Sequence, residues 1–117
     1  MKMSEKYFED RLEDALKQDK QILGVKAKEY VRNGDRMHNF NRGAKKKGTI
    51  REHIIADFRL KHEISVDDMR NDIAEGQLPS KELVEEKFGD IINYYLLEKI
   101  SVLHKIDKQK GILTKSE

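Results

Sequence analysis

The 117-residue chain contains no cysteine, one proline, and no long apolar run. Without cysteine, disulfides, zinc–thiolate centres and thiol catalysis are excluded. Any metal must then be held by carboxylate or histidine, which favours magnesium, with manganese as the alternative, over zinc. A single proline, with four phenylalanines and four tyrosines, is too little turn and strand chemistry for a multi-stranded sandwich or barrel. No segment approaches the roughly 20 apolar residues that span a bilayer. The opening MKMSEKYFED has no signal-peptide hydrophobic region. The expectation is a cytoplasmic protein without membrane association. Charge of one sign is lacking too, because 24 basic and 22 acidic residues leave a net +2 and are interspersed along the chain. No global field draws the protein to nucleic acid, which is not an expected partner, so any anion site must be local.

What remains is helix chemistry. Hydrophobic residues at 37% and charged residues at 39% suit helices with one apolar face and a charged outside. From Ser4 to about Arg32, Phe8, Leu12, Ala15, Leu16, Ile22, Leu23, Ala27, Tyr30 and Val31 recur at three- and four-residue steps. They predict a long amphipathic helix ending near Asn33-Gly34, a pair that supports a left-handed turn. A loop of about fifteen residues is expected next, carrying Met37-His38-Asn39-Phe40 and the basic run Arg42 to Lys47. Thr49 and Glu52 form a capping-box pattern that predicts the next helix start, with Ile54, Ile55, Phe58, His62 and Met69 facing inward. Ser65 and Asp68 repeat that pattern, so 49–75 reads either as one helix bent near Ser65 or as two. Gly76 to Pro79 is a break, and Ser80 with Glu82 opens a last helix running to about Lys105. The expected fold is an all-α antiparallel bundle of three to four helices, with residues 1–106 as one domain and 107–117 as a flexible polar tail. Outer helices about 40 Å long are more than one copy can cover, so a homodimer or higher homo-oligomer is expected.

The segment EEKFGDIINYYLLEKI holds the densest chemistry. Glu86 and Asp90 are one helical turn apart, and Asn93 and Tyr94 continue the stripe. Two carboxylates so placed can share one hard cation; a solvated acidic edge is the plainer reading. The apolar neighbours Ile91, Ile92, Tyr95, Leu96 and Leu97 draw those carboxylates toward a setting in which they need a partner. Glu29, seven residues after Ile22, adds a third carboxylate if it faces the bundle, a set that suits a magnesium ion keeping waters and bridging to phosphates. His62 and Ser65 interrupt the inner face of the middle helix, as a core pair or a pocket wall. Asp57 and Lys61 are a four-step pair, either a surface ion pair or a nucleotide or metal contact. The run Arg42 to Lys47 lacks the ending of a Walker loop and reads as solvated or as a cover for a triphosphate.

The stretches KAKEYVRNGDRMHNFNR (26–42), DFRLKHEISVDDM (57–69) and LPSKELVEEKFGDIINYYLL (78–97) resemble phage-type members of the all-α nucleoside triphosphate pyrophosphohydrolase superfamily. They are similar to the nucleotide-modification-associated, MazG-like domains of bacteriophage genomes. The resemblance implies a helical, usually oligomeric bundle that uses magnesium to hydrolyse a (deoxy)nucleoside triphosphate to monophosphate and pyrophosphate. By position it makes Glu86 and Asp90 metal ligands and catalytic carboxylates, with Glu29 as a further ligand. Asn93, Tyr94 and Tyr30 would line the nucleotide pocket, and Lys26, Asn39, Lys61 and His62 would contact phosphate or base. A phage gene acting in the host cytoplasm is the implied setting. The chain departs from the MazG pattern in lacking its double glutamate on the first helix and in placing Lys87 three residues before Asp90. A non-catalytic helical accessory protein, binding a nucleotide or a protein in the same groove, is the alternative from a different class.

Overall fold

The computed structural model describes residues 1–26, 28 and 31–111, except for the side chain of Lys26. Four helices account for most of them: α1 (Glu5–Lys26), α2 (His38–Lys47), α3 (Arg51–Ala74) and α4 (Lys81–Gln109). The protein is all-α and its helices pack as a bundle. No helix among the described residues is long and apolar enough to cross a membrane.

The turn expected at Asn33-Gly34 is present. Both residues have positive φ, 55° and 75°, and Arg32 pairs with Asp35 across them. The long loop expected after it is instead largely α2. A ten-residue helix with Gly43 at its centre is marginal in isolation, and packing explains why this one forms. Phe40 and Ala44 are buried, and Gly43 lets α2 lie close to α3, since a Cβ there would stand 3.0 Å from Ile54 Cγ2. Gly48, at φ 66°, closes the helix by returning its N–H to the Ala44 carbonyl. Lys45, Lys46 and Lys47 thus occupy the last turn of a helix, where cations complement the dipole.

The capping box expected at Thr49 and Glu52 does not form. The residue before α3 is Ile50, with no side-chain cap. Thr49 Oγ1 bonds His53 Nδ1 at 2.7 Å, and Glu52 turns to α4. Nor does Ser65 break the helix. Its hydroxyl donates to the Lys61 carbonyl at 3.1 Å, the back-bond of a mid-helix serine, and α3 is one continuous helix. The start of α4 is as expected, with Ser80 Oγ accepting from Leu83 N–H at 3.1 Å, and the helix runs on to Gln109.

The core joins Met37, Phe40 and Ala44 with Ile54 and Ile55 of α3 and Tyr94 and Leu97 of α4, and Leu23 of α1 packs against it. Helices α3 and α4 are antiparallel, with Arg51 meeting Ser101, Arg59 meeting Glu98, and His62 meeting Asp90. Helix α1 lies along α4 in the same direction, its residues 7–18 flanking 81–85 and Ile22 resting on Gly89. Because α4 is the one helix that α1 packs along among the described residues, Phe8, Leu12 and Leu16 of the expected apolar face are 55%, 46% and 61% exposed. The radius of gyration is 17.3 Å, against about 13 Å for a compact chain of this length.

Candidate functional site

The site is built where the middle of α3 faces the middle of α4. Asp90, one turn before Tyr94, is 5% exposed, and His62 reaches it from α3 with Nδ1 3.5 Å from Asp90 Oδ2. The imidazole also stacks on Tyr94, with centroids 5.4 Å apart and planes at 24°. Phe58, one turn before His62, meets Tyr94 edge-on at 6.4 Å, and Phe40 of α2 meets Phe58 edge-on at 5.5 Å. The three phenyl-type rings and the imidazole therefore make one aromatic wall. An open cavity of about 390 Å³ lies against it, lined by Asp57, Phe58, Lys61 and Tyr94.

Asn93 sits on the turn between Asp90 and Leu97 and is 2% exposed. Neither its Nδ2 nor its Oδ1 has a hydrogen-bond partner among the described residues. An amide taken out of water without partners costs on the order of 1–3 kcal/mol, and such a group in a folded protein calls for an explanation in structure or function.

Of the residues singled out in the sequence, Lys61, His62, Asp90 and Tyr94 are brought together here, and Asn93 precedes Tyr94 on α4 without lining the cavity. Glu86 is on α4 one turn before Asp90 but is exposed, so the two carboxylates stand in different environments. Asn39 is exposed on the first turn of α2, next to buried Phe40. Glu29, Tyr30 and the side chain of Lys26 lie outside the described residues. Asp57 does not pair with Lys61 as a four-step ion pair; its carboxylate takes Lys47 Nζ at 3.4 Å.

No group of three histidine, aspartate or glutamate side chains among the described residues is gathered as a metal site. The part of Phe58 was missed in the sequence, where it read as an inward core residue. It is 42% exposed, with its ring forming part of the wall. Its spacing to Lys61 and His62 carried the signal, since residues three and four apart share a helical face.

A second polar cluster joins the start of α3 to the end of α4. Arg51 Nε donates to Ser101 Oγ at 2.5 Å and Nη2 to the Ser101 carbonyl at 3.2 Å. Glu52 accepts hydrogen bonds from Ser101 Oγ and Lys105 Nζ. Burial alone would raise the Glu52 carboxyl, but those bonds, one from its own backbone amide, and the Lys105 charge outweigh it and hold the group down at about 2. Between the two clusters, Arg59 of α3 bonds Glu63 and Glu98, each at 2.7 Å, and lies 3.9 Å over the Tyr95 ring. Of these anchoring acids and bases the sequence marked Glu52 alone, and as a capping-box residue rather than as an anchor to α4.

Comparison with known protein families, with characterised proteins and with solved structures finds no match to the chain.

Proposed function

We propose that this bundle binds a (deoxy)nucleoside triphosphate against the Phe58–Tyr94 wall and hydrolyses it, with magnesium, to the monophosphate and pyrophosphate. The observation that carries the reading is Asn93, a buried amide three residues after Asp90 and one before Tyr94 on α4, with two donors and one acceptor unpartnered among the described residues. A planar base with polar edges satisfies such an amide and stacks on such a wall, and these two demands together describe few other ligands. The likeness of the three sequence segments to MazG-like domains points the same way.

In this reading Lys61, beside the cavity, takes the phosphate chain, and Glu86 and Asp90 would hold the cation. Magnesium, when bound, supplies neutralisation of phosphate charge and polarisation of a phosphoryl oxygen. The products require water to attack the α-phosphorus and the α–β bridging P–O bond to break, with pyrophosphate leaving. A carboxylate of the Glu86 and Asp90 pair takes the proton from that water. His62 fixes the Asp90 carboxylate in place and, through its stack on Tyr94, ties the acid to the base-binding wall. The setting is the cytoplasm, where such triphosphates are found, with a phage gene as the source the resemblance suggests.

The same reading includes a homodimer or higher homo-oligomer, supported by the open apolar face of α1 and the elongated single chain. A second reading, nucleotide binding without turnover, is favoured by the scarcity of ligating groups among the described residues, two carboxylates on one helix with Asp90 already facing His62. Calorimetric titration of a nucleoside triphosphate panel with magnesium tests the site itself. Saturable binding by the wild type, weakened at least tenfold in Asn93→Leu, supports it, and absence of binding to every member contradicts it.

A further inference from the structure

A larger cavity, of about 600 Å³, opens at the far end of α4 between the 33–37 turn, the start of α3 and the last turns of α4. From Asp90 to His104 is fourteen residues of helix, or about 21 Å, so this cavity is separate from the site around Asn93. Its wall carries Arg36, Arg51, His104 and Lys108, with Asp35 as its one carboxylate.

Two of the cations are free. The side chains of Arg36 and Lys108 make no ion pair or hydrogen bond among the described residues. The third, Arg51, is fixed from behind by Ser101, which is itself fully buried against Glu52, and its Nε pairs with Glu52 Oε2 at 3.6 Å. Its Nη1 has a single contact, to Asn41 Oδ1 at 3.5 Å, and so keeps donor capacity. Arg51 Nη2 also lies 3.0 Å from His104 Nδ1. A guanidinium can only donate, so Nδ1 accepts, and the neutral ring carries its proton on Nε2 as a further donor. The opposing carboxylate is committed within its own turn, with Asp35 Oδ1 accepting from Met37 N–H at 2.9 Å and Oδ2 from Asn41 Nδ2 at 3.2 Å. The wall thus presents donors and positive charge in excess, on a rigid base, in a chain whose total charge is nearly balanced.

We propose that this cavity is a binding site for a small phosphate-bearing molecule, with Arg36 and Lys108 closing on its phosphate oxygens and Arg51 and His104 setting their position. An arginine fork held in one orientation matches phosphate geometry. The volume falls within the range of small-molecule sites rather than that of a groove tracking a polymer. The proposal is independent of the hydrolytic reading, since it uses none of its residues.

Inorganic pyrophosphate, titrated calorimetrically in the presence of EDTA, is the probe. The wild type is expected to bind it saturably, Arg36→Gln/Lys108→Gln to bind at least tenfold more weakly, and Asp90→Asn to match the wild type. Both substituted cations are exposed and unpaired, so the double variant is expected to keep the wild-type melting temperature. In NMR spectra of the wild type the Arg51 Nε and His104 ring signals are expected to move along the titration. No saturable binding, equal affinity in the double variant, or loss of binding in Asp90→Asn overturns the proposal. So does tight binding of a DNA duplex that depends on Arg36 and Lys108 while pyrophosphate is not bound, which assigns these cations to nucleic acid instead.

Discussion

His62 meets two α4 residues with one ring, its Nδ1 3.5 Å from Asp90 Oδ2 and its face stacked 5.4 Å from Tyr94. Asp90 and Tyr94 are one turn apart, so a single α3 side chain fixes the register of α3 on α4 at the candidate site. His62→Phe keeps an aromatic stack and removes the Asp90 contact, whereas His62→Ala removes both. Urea denaturation is expected to show a loss of about 1 kcal/mol for the first and of about 2–3 kcal/mol for the second. Equal stability of all three proteins would show that the contact has no structural role.

Asn93 predicts a trade between stability and binding. Leucine has similar bulk and no polar atoms, so Asn93→Leu removes two buried groups that lack partners. The variant is expected to be more stable than the wild type by about 1 kcal/mol while losing nucleotide affinity. Denaturation midpoints of the two proteins, measured without ligand, check the sign. A destabilised Asn93→Leu would mean that the amide has a structural role.

The Glu52 carboxyl makes stability depend on acidity. Its folded pKa of about 2 lies below the ordinary 4.5, so the unfolded chain takes up the proton first as pH falls. The stabilisation is fully present above about 4.5 and is lost as pH falls through the window down to about 2. Glu52→Gln is expected to be less stable than the wild type at neutral pH by on the order of 2 kcal/mol, with the difference shrinking toward pH 2. Denaturation at stepped pH reads this directly.

Much of this architecture was legible in the sequence because it depends on local signals. The Asn33-Gly34 turn, the Ser80 cap and the apolar spacing of α3 each act through a few neighbouring residues. Helix α2 was not legible, since its stability comes from burying Phe40 and from the close approach of Gly43 to Ile54, which only the packed chain reveals. Glu52 was misread for a related reason. Its place after Thr49 suits a cap, but Ser101 and Lys105, about fifty residues away, offer it a better set of donors. At the candidate site, Asp90, Asn93 and Tyr94 stood out by helical spacing. The partners that give them meaning, His62 and Phe58 on α3, converge through the α3–α4 pairing.

The exposed Phe8, Leu12 and Leu16 predict assembly through α1. Light scattering is expected to give at least twice the chain mass of 13.7 kDa for the wild type. Leu12→Glu/Leu16→Glu is expected to shift the protein to the monomer mass while circular dichroism still reports helix. A monomeric wild type at micromolar concentration would contradict the oligomeric part of the proposal.

Pyrophosphate release from a panel of natural and modified (deoxy)nucleoside triphosphates, with and without magnesium, bears most directly on the proposed reaction when wild type and Asp90→Asn are compared. Release that requires magnesium and disappears in a folded Asp90→Asn is the expected result. A folded wild type that releases no pyrophosphate from any member of the panel, or an Asp90→Asn variant as active as the wild type, would contradict hydrolysis at this site.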